Sequence, residues 1–62
     1  MTSDSLHSFS RRTAALMIRL ENQQKHNRPA YRWLADAHRR AAYGVQPSKA
    51  AWVELKRLEG VL

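Results

Sequence analysis

Two prolines and two glycines are the only residues of this 62-residue chain that strongly interrupt regular structure. Pro29, Gly44 and Pro47 divide the chain into three segments, and Gly60 lies near its end. No run of β-branched residues alternates with polar ones, and neither Asn-Gly nor Asp-Gly occurs, so nothing indicates strands or hairpins. The sequence therefore predicts an all-α fold, in which residues 1–62 form a single helical domain. Its three helices, at about 4–26, 29–43 and 48–60, are expected to pack as a small bundle.

The first segment has the clearest helical pattern, because its core-facing stripe spans an arc of only about 100°. The stripe comprises Leu6, Phe9, Thr13, Leu16, Met17, Leu20 and Gln24. Thr2, Ser3 and Asp4 are candidate N-caps. At about 1.5 Å per residue this helix would be about 34 Å long, whereas a 14-residue neighbour spans about 21 Å. Unless the other two helices cover the stripe in tandem, part of it remains exposed to solvent. Because an exposed apolar stripe favours association, we expect a homodimer through the first helix.

The two shorter segments carry clear boundary signals. Pro29 suits the first turn of a helix, and Gly44 is predicted to end that helix in the left-handed conformation. His38 lies on its apolar face, where we expect a hydrogen bond to a backbone carbonyl or a tyrosine; a pH-dependent interface is the alternative. The third helix is expected to begin at Pro47 or after Ser48. Its apolar stripe comprises Ala51, Leu55, Leu58 and Leu62.

The composition argues against catalysis and against several kinds of site. The chain has no cysteine, which excludes disulfides and thiolate metal sites and fits a cytoplasmic protein. Its three histidines lie on separate segments, without the spacing of a metal motif, and no glycine-rich phosphate loop is present. A chain this short has little room for a pocket of about 300 Å³ or more. We therefore expect no enzyme activity, no cofactor, no metal and no membrane span.

The basic excess is the feature with the most functional content. With 11 Lys+Arg against 5 Asp+Glu the formal charge is +6, and arginine outnumbers lysine by 8 to 3. Such a charge attracts polyanions, although a charge of about 2–8 also serves solubility alone. The leading hypothesis is a small regulatory or accessory nucleic-acid-binding protein, of a size common in bacteria, plasmids and phages, with DNA a better partner than RNA. The candidate contacts are Arg39, Arg40, Gln46, Ser48, Lys49, Lys56 and Arg57.

Residues 41–53 resemble the turn and second helix of a helix-turn-helix motif. Gly44 lies in the turn, and Ala50 and Val53 stand where the motif packs small or branched residues. Arg40 departs from the motif, which takes a small residue four positions before the glycine, and the apolar stripe of the third helix lies on another face. The resemblance implies that the second helix of the motif enters the major groove of DNA. The residues that would contact this groove are Gln46, Ser48, Lys49 and Trp52.

The aromatic residues support a second hypothesis, a protein-binding adaptor or inhibitor that docks a helix face on a larger partner with an acidic surface. Trp33 lies on the charged side of the second helix beside Arg40, and tryptophan, tyrosine and arginine are enriched at interface hot spots. The plainer interpretation is that Trp33 and Trp52 close the ends of the core. The candidate partner contacts are Trp33, Tyr43, Arg11, Arg12 and Arg19.

Overall fold

Three helices make up the computed structural model, which describes residues 2–62 and the side chains from residue 5 onward. They are α1 (Thr2–Asn22), α2 (Pro29–Ala42) and α3 (Lys49–Val61), and the part of the chain described contains no strand. The predicted all-α three-helix bundle is confirmed. The candidate caps on residues 2–4 lie outside the described side chains.

The core lies along α1, on which α2 and α3 both pack. Seven apolar side chains are buried in it. They are Phe9, Leu16 and Leu20 from α1, Leu34 and Ala41 from α2, and Leu55 and Leu58 from α3. Thr13 is fully buried among them, and its hydroxyl lies 3.0 and 2.9 Å from the carbonyl oxygens of Phe9 and Ser10, so its polar atom is satisfied.

The two shorter helices cover the stripe of α1 in tandem. Phe9 packs edge-on against Trp52 of α3, with ring centroids 5.0 Å apart, and Leu6 and Met17 are half-buried against the core. Of the alternatives left open by the sequence, coverage in tandem is the one that the structure shows, because one chain closes its own core. The predicted homodimer loses that support and stays a prediction.

The first helix ends four residues earlier than predicted, at Asn22 rather than 26. Gln24 takes the left-handed conformation with φ 58°, and its N–H donates to Glu21 O at 3.0 Å. Lys25 N–H donates back to Leu20 O at 2.7 Å. These two hydrogen bonds form a Schellman motif, which satisfies the last carbonyls of the helix and turns the chain away. Gln24 is consequently exposed in the loop and does not belong to the core stripe.

The second helix ends with the same motif. Gly44 has φ 87°, its N–H donates to Ala41 O at 3.0 Å, and Val45 N–H donates to Arg40 O at 3.0 Å. The predicted left-handed role of Gly44 is confirmed. Tyr43, included in the predicted helix, is its C-cap residue.

The third helix begins at Lys49, after the N-cap residue Ser48. The Ser48 hydroxyl accepts a hydrogen bond from Ala51 N–H at 3.1 Å, which satisfies one of the free donors of the first turn. Ser48 was predicted as a nucleic-acid contact and stays one, and within the protein its hydroxyl caps α3.

The packing of α3 contradicts the helix-turn-helix resemblance. The motif would bury Ala50 and Val53, yet Ala50 is exposed and Val53 is 60% exposed. Leu55 and Leu58 face the core instead. The linking segment, residues 43–48, also exceeds the three or four residues of the motif's turn.

Candidate nucleic-acid interface

His38 ties α2 to α1. Its Nδ1 lies 3.0 Å from the carbonyl oxygen of Ser10, so this nitrogen carries the proton, and the hydroxyls of Ser10 and Thr13 are each 3.3 Å away. The predicted hydrogen bond to a backbone carbonyl is thus present. Within the described chain, no three histidine or carboxylate side chains are placed to hold a metal ion.

Every described carboxylate accepts a hydrogen bond from a side chain of the same protein. The pairs are Glu21 with Tyr31, Asp36 with Arg39 and Arg40, Glu54 with Arg57, and Glu59 with Arg12. The hydrogen bond from Arg57 lowers the pKa of Glu54, and that from Arg12 lowers the pKa of Glu59. The acidic groups are therefore occupied locally, which leaves the surplus of cations uncompensated.

Arg12 lies at the junction of α1 and α3 and is not the outward contact predicted for it. Its Nε donates to Glu59 Oε2 at 2.9 Å, and its Cζ lies 5.4 Å from the ring centroid of Trp52. Only 36% of the side chain is exposed. The guanidinium is therefore held by a carboxylate and an aromatic ring of α3.

Four exposed cations lie on the two helices that meet at this junction, and we call them the basic face, although Arg11 points about 80° further around α1 than Arg19. Seven residues of helix bring a side chain back to within about 20° of the same direction, so Arg19 lies on the same side of α1 as Arg12. By the same spacing Lys49 and Lys56 share one edge of α3, and Lys56 is near enough to Glu59 to help lower its pKa. None of the four forms an ion pair among the described residues. The basic face consists of Arg11, Arg19, Lys49 and Lys56.

A different combination of charges and rings lies on the outer side of α2, and we call it the aromatic face. It consists of Arg32, Trp33, Arg39, Arg40 and Tyr43. Tyr43 is 80% exposed, whereas Trp33 is half-buried because it packs partly against the core. Trp33 forms a wall of two depressions, one toward α3 and one on the outer side of α2. The plainer interpretation of Trp33 as a core-closing residue is thus partly correct.

The depression toward α3 brings three predicted nucleic-acid contacts together. Arg40, Gln46 and Ser48 line it beside Trp33, with the buried Phe9 also among its lining residues. Its volume of about 190 Å³ is below the 300 Å³ or so of ordinary small-molecule sites.

Arg57 lies apart from the other predicted contacts, on the flank of α3 that faces the loop between α1 and α2. Lys25 and Arg28 of that loop line a shallow depression with it, over Leu20 and Leu58. Neither loop cation was predicted as a contact from the sequence, because only the packing of the loop against α3 brings them near Arg57.

The fold therefore regroups the two predicted sets of contacts. The basic face takes Lys49 and Lys56 from the nucleic-acid set and Arg11 and Arg19 from the partner set.

No family model, no curated protein and no solved structure matches this chain. In the described part of the chain no helix has both the length and the apolar character needed to cross a membrane.

Proposed function

We propose that this chain is a small, non-enzymatic nucleic-acid-binding protein with a regulatory or accessory role, and that its basic face contacts the phosphate backbone, preferably of DNA. A cytoplasmic location is part of this proposal. The supporting observation is that the four exposed cations of the basic face form no ion pair in the described chain, while the described carboxylates are all hydrogen-bonded to other side chains.

The arrangement of these cations suits a polyanion. Lys49 and Lys56 are separated by about 10 Å along α3, and Arg11 and Arg19 by about 12 Å along α1. Duplex DNA carries one phosphate per about 1.7 Å of axis, so several phosphates lie within reach of such a face. Arginine adds forked hydrogen bonds to phosphate oxygens, and the exposed lysines act as mobile point charges.

The salt dependence of binding tests this proposal. Four phosphate contacts predict a slope of about −3.6 in log affinity against log salt for duplex DNA, and about −2.8 for a single strand. Raising the salt from about 50 to about 200 mM should therefore weaken binding by about 50- to 150-fold. Fluorescence anisotropy of labelled 20-nucleotide single strands and duplexes measures this loss.

A charge-matched pair of variants locates the interface. Lys49→Gln/Lys56→Gln removes two cations from the basic face, whereas Lys25→Gln/Arg28→Gln removes two exposed cations outside it. Each removed phosphate contact lowers the magnitude of the slope by about 1, so we expect the first variant to lose about 2 and the second to keep the original slope. Equal losses in both variants, or no binding by the unmodified protein at 50 mM salt, would contradict the proposal.

The adaptor hypothesis remains the alternative, and the aromatic face favours it. Tyr43 is 80% exposed one turn after Arg39, and tyrosine and arginine are prominent at protein interface hot spots. Its partner would present acidic groups to Arg32, Arg39 and Arg40. Failure of every oligonucleotide to bind at low salt, together with capture of a defined acidic protein by unmodified protein and not by Tyr43→Ala, would favour it.

A further inference from the structure

Tyr43 is the most exposed of the large hydrophobic side chains in the described chain. It is the C-cap residue of α2, its side chain is 80% exposed, and it takes no part in the core cluster. Its ring therefore stands in solvent on a fixed helix end, because hydrogen bonds from Tyr43 N–H to the carbonyls of Arg39 and Arg40 hold its backbone at 3.1 Å each. An aromatic ring held in this way offers a flat surface on which another ring can stack.

Cations lie along the same side of α2. Arg32, Arg39 and Tyr43 are spaced at i, i+7 and i+11, which places them within about 40° of one another around the helix and within about 16 Å along it. Arg39 and Arg40 share a single carboxylate, Asp36, at 3.0 and 3.2 Å, and Arg32 forms no ion pair among the described residues. Three guanidinium groups against one carboxylate leave a charge of about +2 beside the exposed ring.

We infer that the aromatic face binds single-stranded nucleic acid, with a base stacked on Tyr43 and neighbouring phosphates on Arg32, Arg39 and Arg40. This inference rests on the proposed function and specifies its substrate class. In a duplex the base planes are covered by their neighbours and only base edges are presented in the grooves, whereas a single strand presents whole base planes to an aromatic side chain. Trp33 adds apolar surface beside these arginines, because it lines the same depression as Arg32 and Arg39.

Two substitutions at Tyr43 separate stacking from charge. Tyr43→Ala removes the ring, whereas Tyr43→Phe keeps the ring and removes only the hydroxyl. We expect the alanine variant to bind a 15-nucleotide oligothymidine about 5- to 150-fold more weakly than the unmodified protein, and the phenylalanine variant to bind within about twofold of it. Affinity for a 15-base-pair duplex should change by less than about twofold in both. Because Tyr43 is exposed, circular dichroism should show the same fold in all three proteins.

A nuclear magnetic resonance titration gives a second readout. Stacking should move the ring-proton signals of Tyr43 to lower chemical shift as oligothymidine is added, while phosphate binding alone would leave them unchanged. An alanine variant that keeps full single-strand affinity overturns the inference and leaves this face to a protein partner. The proposed function survives that result if duplex binding keeps its salt slope and its sensitivity to Lys49→Gln/Lys56→Gln. Absence of binding to both oligonucleotides at 50 mM salt overturns both proposals.

Discussion

The substitutions Gly44→Ala and Gly60→Ala make the same chemical change at two sites that differ in backbone conformation, and we predict opposite effects on the free energy of unfolding. Gly44 ends α2 with φ 87°, whereas Gly60 lies within α3 in helical conformation. A Cβ atom would meet no heavy atom within 4 Å at either site. Packing therefore contributes nothing to the difference, and backbone conformation decides its sign.

The magnitude follows from the two conformations. A left-handed residue with a Cβ costs about 1–2 kcal/mol, so Gly44→Ala should lower the free energy of unfolding by about that amount. Alanine is favoured over glycine inside a helix by about 0.5–1 kcal/mol and by less in a last turn that frays, so Gly60→Ala, one residue before the end of α3, should raise it by at most that amount. The two variants should therefore differ by about 2 kcal/mol, and each kcal/mol moves the melting temperature of such a domain by about 4–8 °C. Gln24 takes the same left-handed conformation, with φ 58°, although it is not a glycine. We therefore predict that Gln24→Gly raises the free energy of unfolding by about 0.5–1 kcal/mol.

Urea denaturation followed by circular dichroism at 222 nm measures these differences. The slope with urea should stay the same in all variants, because none alters the buried surface. Gln24 and Gly44 lie beyond opposite ends of α2, which is itself about 21 Å long. The change in the free energy of unfolding of the double variant Gln24→Gly/Gly44→Ala should therefore be close to the sum of the two single changes. Midpoints for Gly44→Ala and Gly60→Ala that move in the same direction would refute the reasoning from backbone conformation.

Three further predictions concern the cap of α3, the ion pair between α1 and α3, and the mass of the protein. Ser48→Ala should lower the free energy of unfolding by about 1 kcal/mol, while Ser48→Asp, which can still accept from Ala51 N–H, should lose much less in the same urea assay; equal losses would disprove a capping role. The hydrogen bond from Arg12 lowers the pKa of Glu59 below its ordinary value of 4.5. The ion pair therefore contributes fully to the free energy of unfolding above pH 4.5, and this contribution is lost as the pH falls through the lower pKa that Glu59 has in the folded protein. Glu59→Gln should therefore lessen the fall in melting temperature between about pH 5 and pH 3, by an amount equivalent to at most about 1 kcal/mol, and an unchanged pH profile would argue against it. The predicted homodimer is tested by sedimentation at micromolar concentration, which should give twice the 7.2 kDa of one chain, and a mass of 7.2 kDa would overturn it.

Local signals in the sequence predicted the helices well. Pro29, Gly44 and Ser48 each act within one turn of the chain, so their roles could be derived from neighbouring residues alone. The periodic stripe of α1 likewise identified Phe9 and Leu20 as core residues. The end of α1 was predicted four residues too late because Gln24 takes the left-handed conformation that usually falls on glycine. No glycine lies near this position to mark the end of the helix in the sequence.

The candidate site could be predicted only in part, because it depends on how the helices are placed against one another. A helical projection puts Arg12 outside the apolar arc of α1, and only the position of α3 brings it against Glu59 and Trp52. The same holds for the grouping of Lys49 and Lys56 with cations of α1. Residue types indicated an affinity for polyanions, whereas the division of the charges between two faces required the fold.

The unequal attachment of the three helices has a consequence for ligand binding. α2 packs closely along α1, whereas the backbone of α3 approaches α1 less closely and contacts it through Trp52 on Phe9, Glu59 on Arg12 and the buried Leu55 and Leu58. Elements with fewer contacts detach at lower free energy than the rest of a domain, so α3 is the part of the bundle expected to open first. Opening would separate the lysines of α3 from the arginines of α1, and a polyanion bound across both helices would raise the free energy of that opening by an amount that grows with the logarithm of its affinity. Occupancy of the basic face and closure of the bundle would then reinforce each other, so the protein would be most rigid while it is bound.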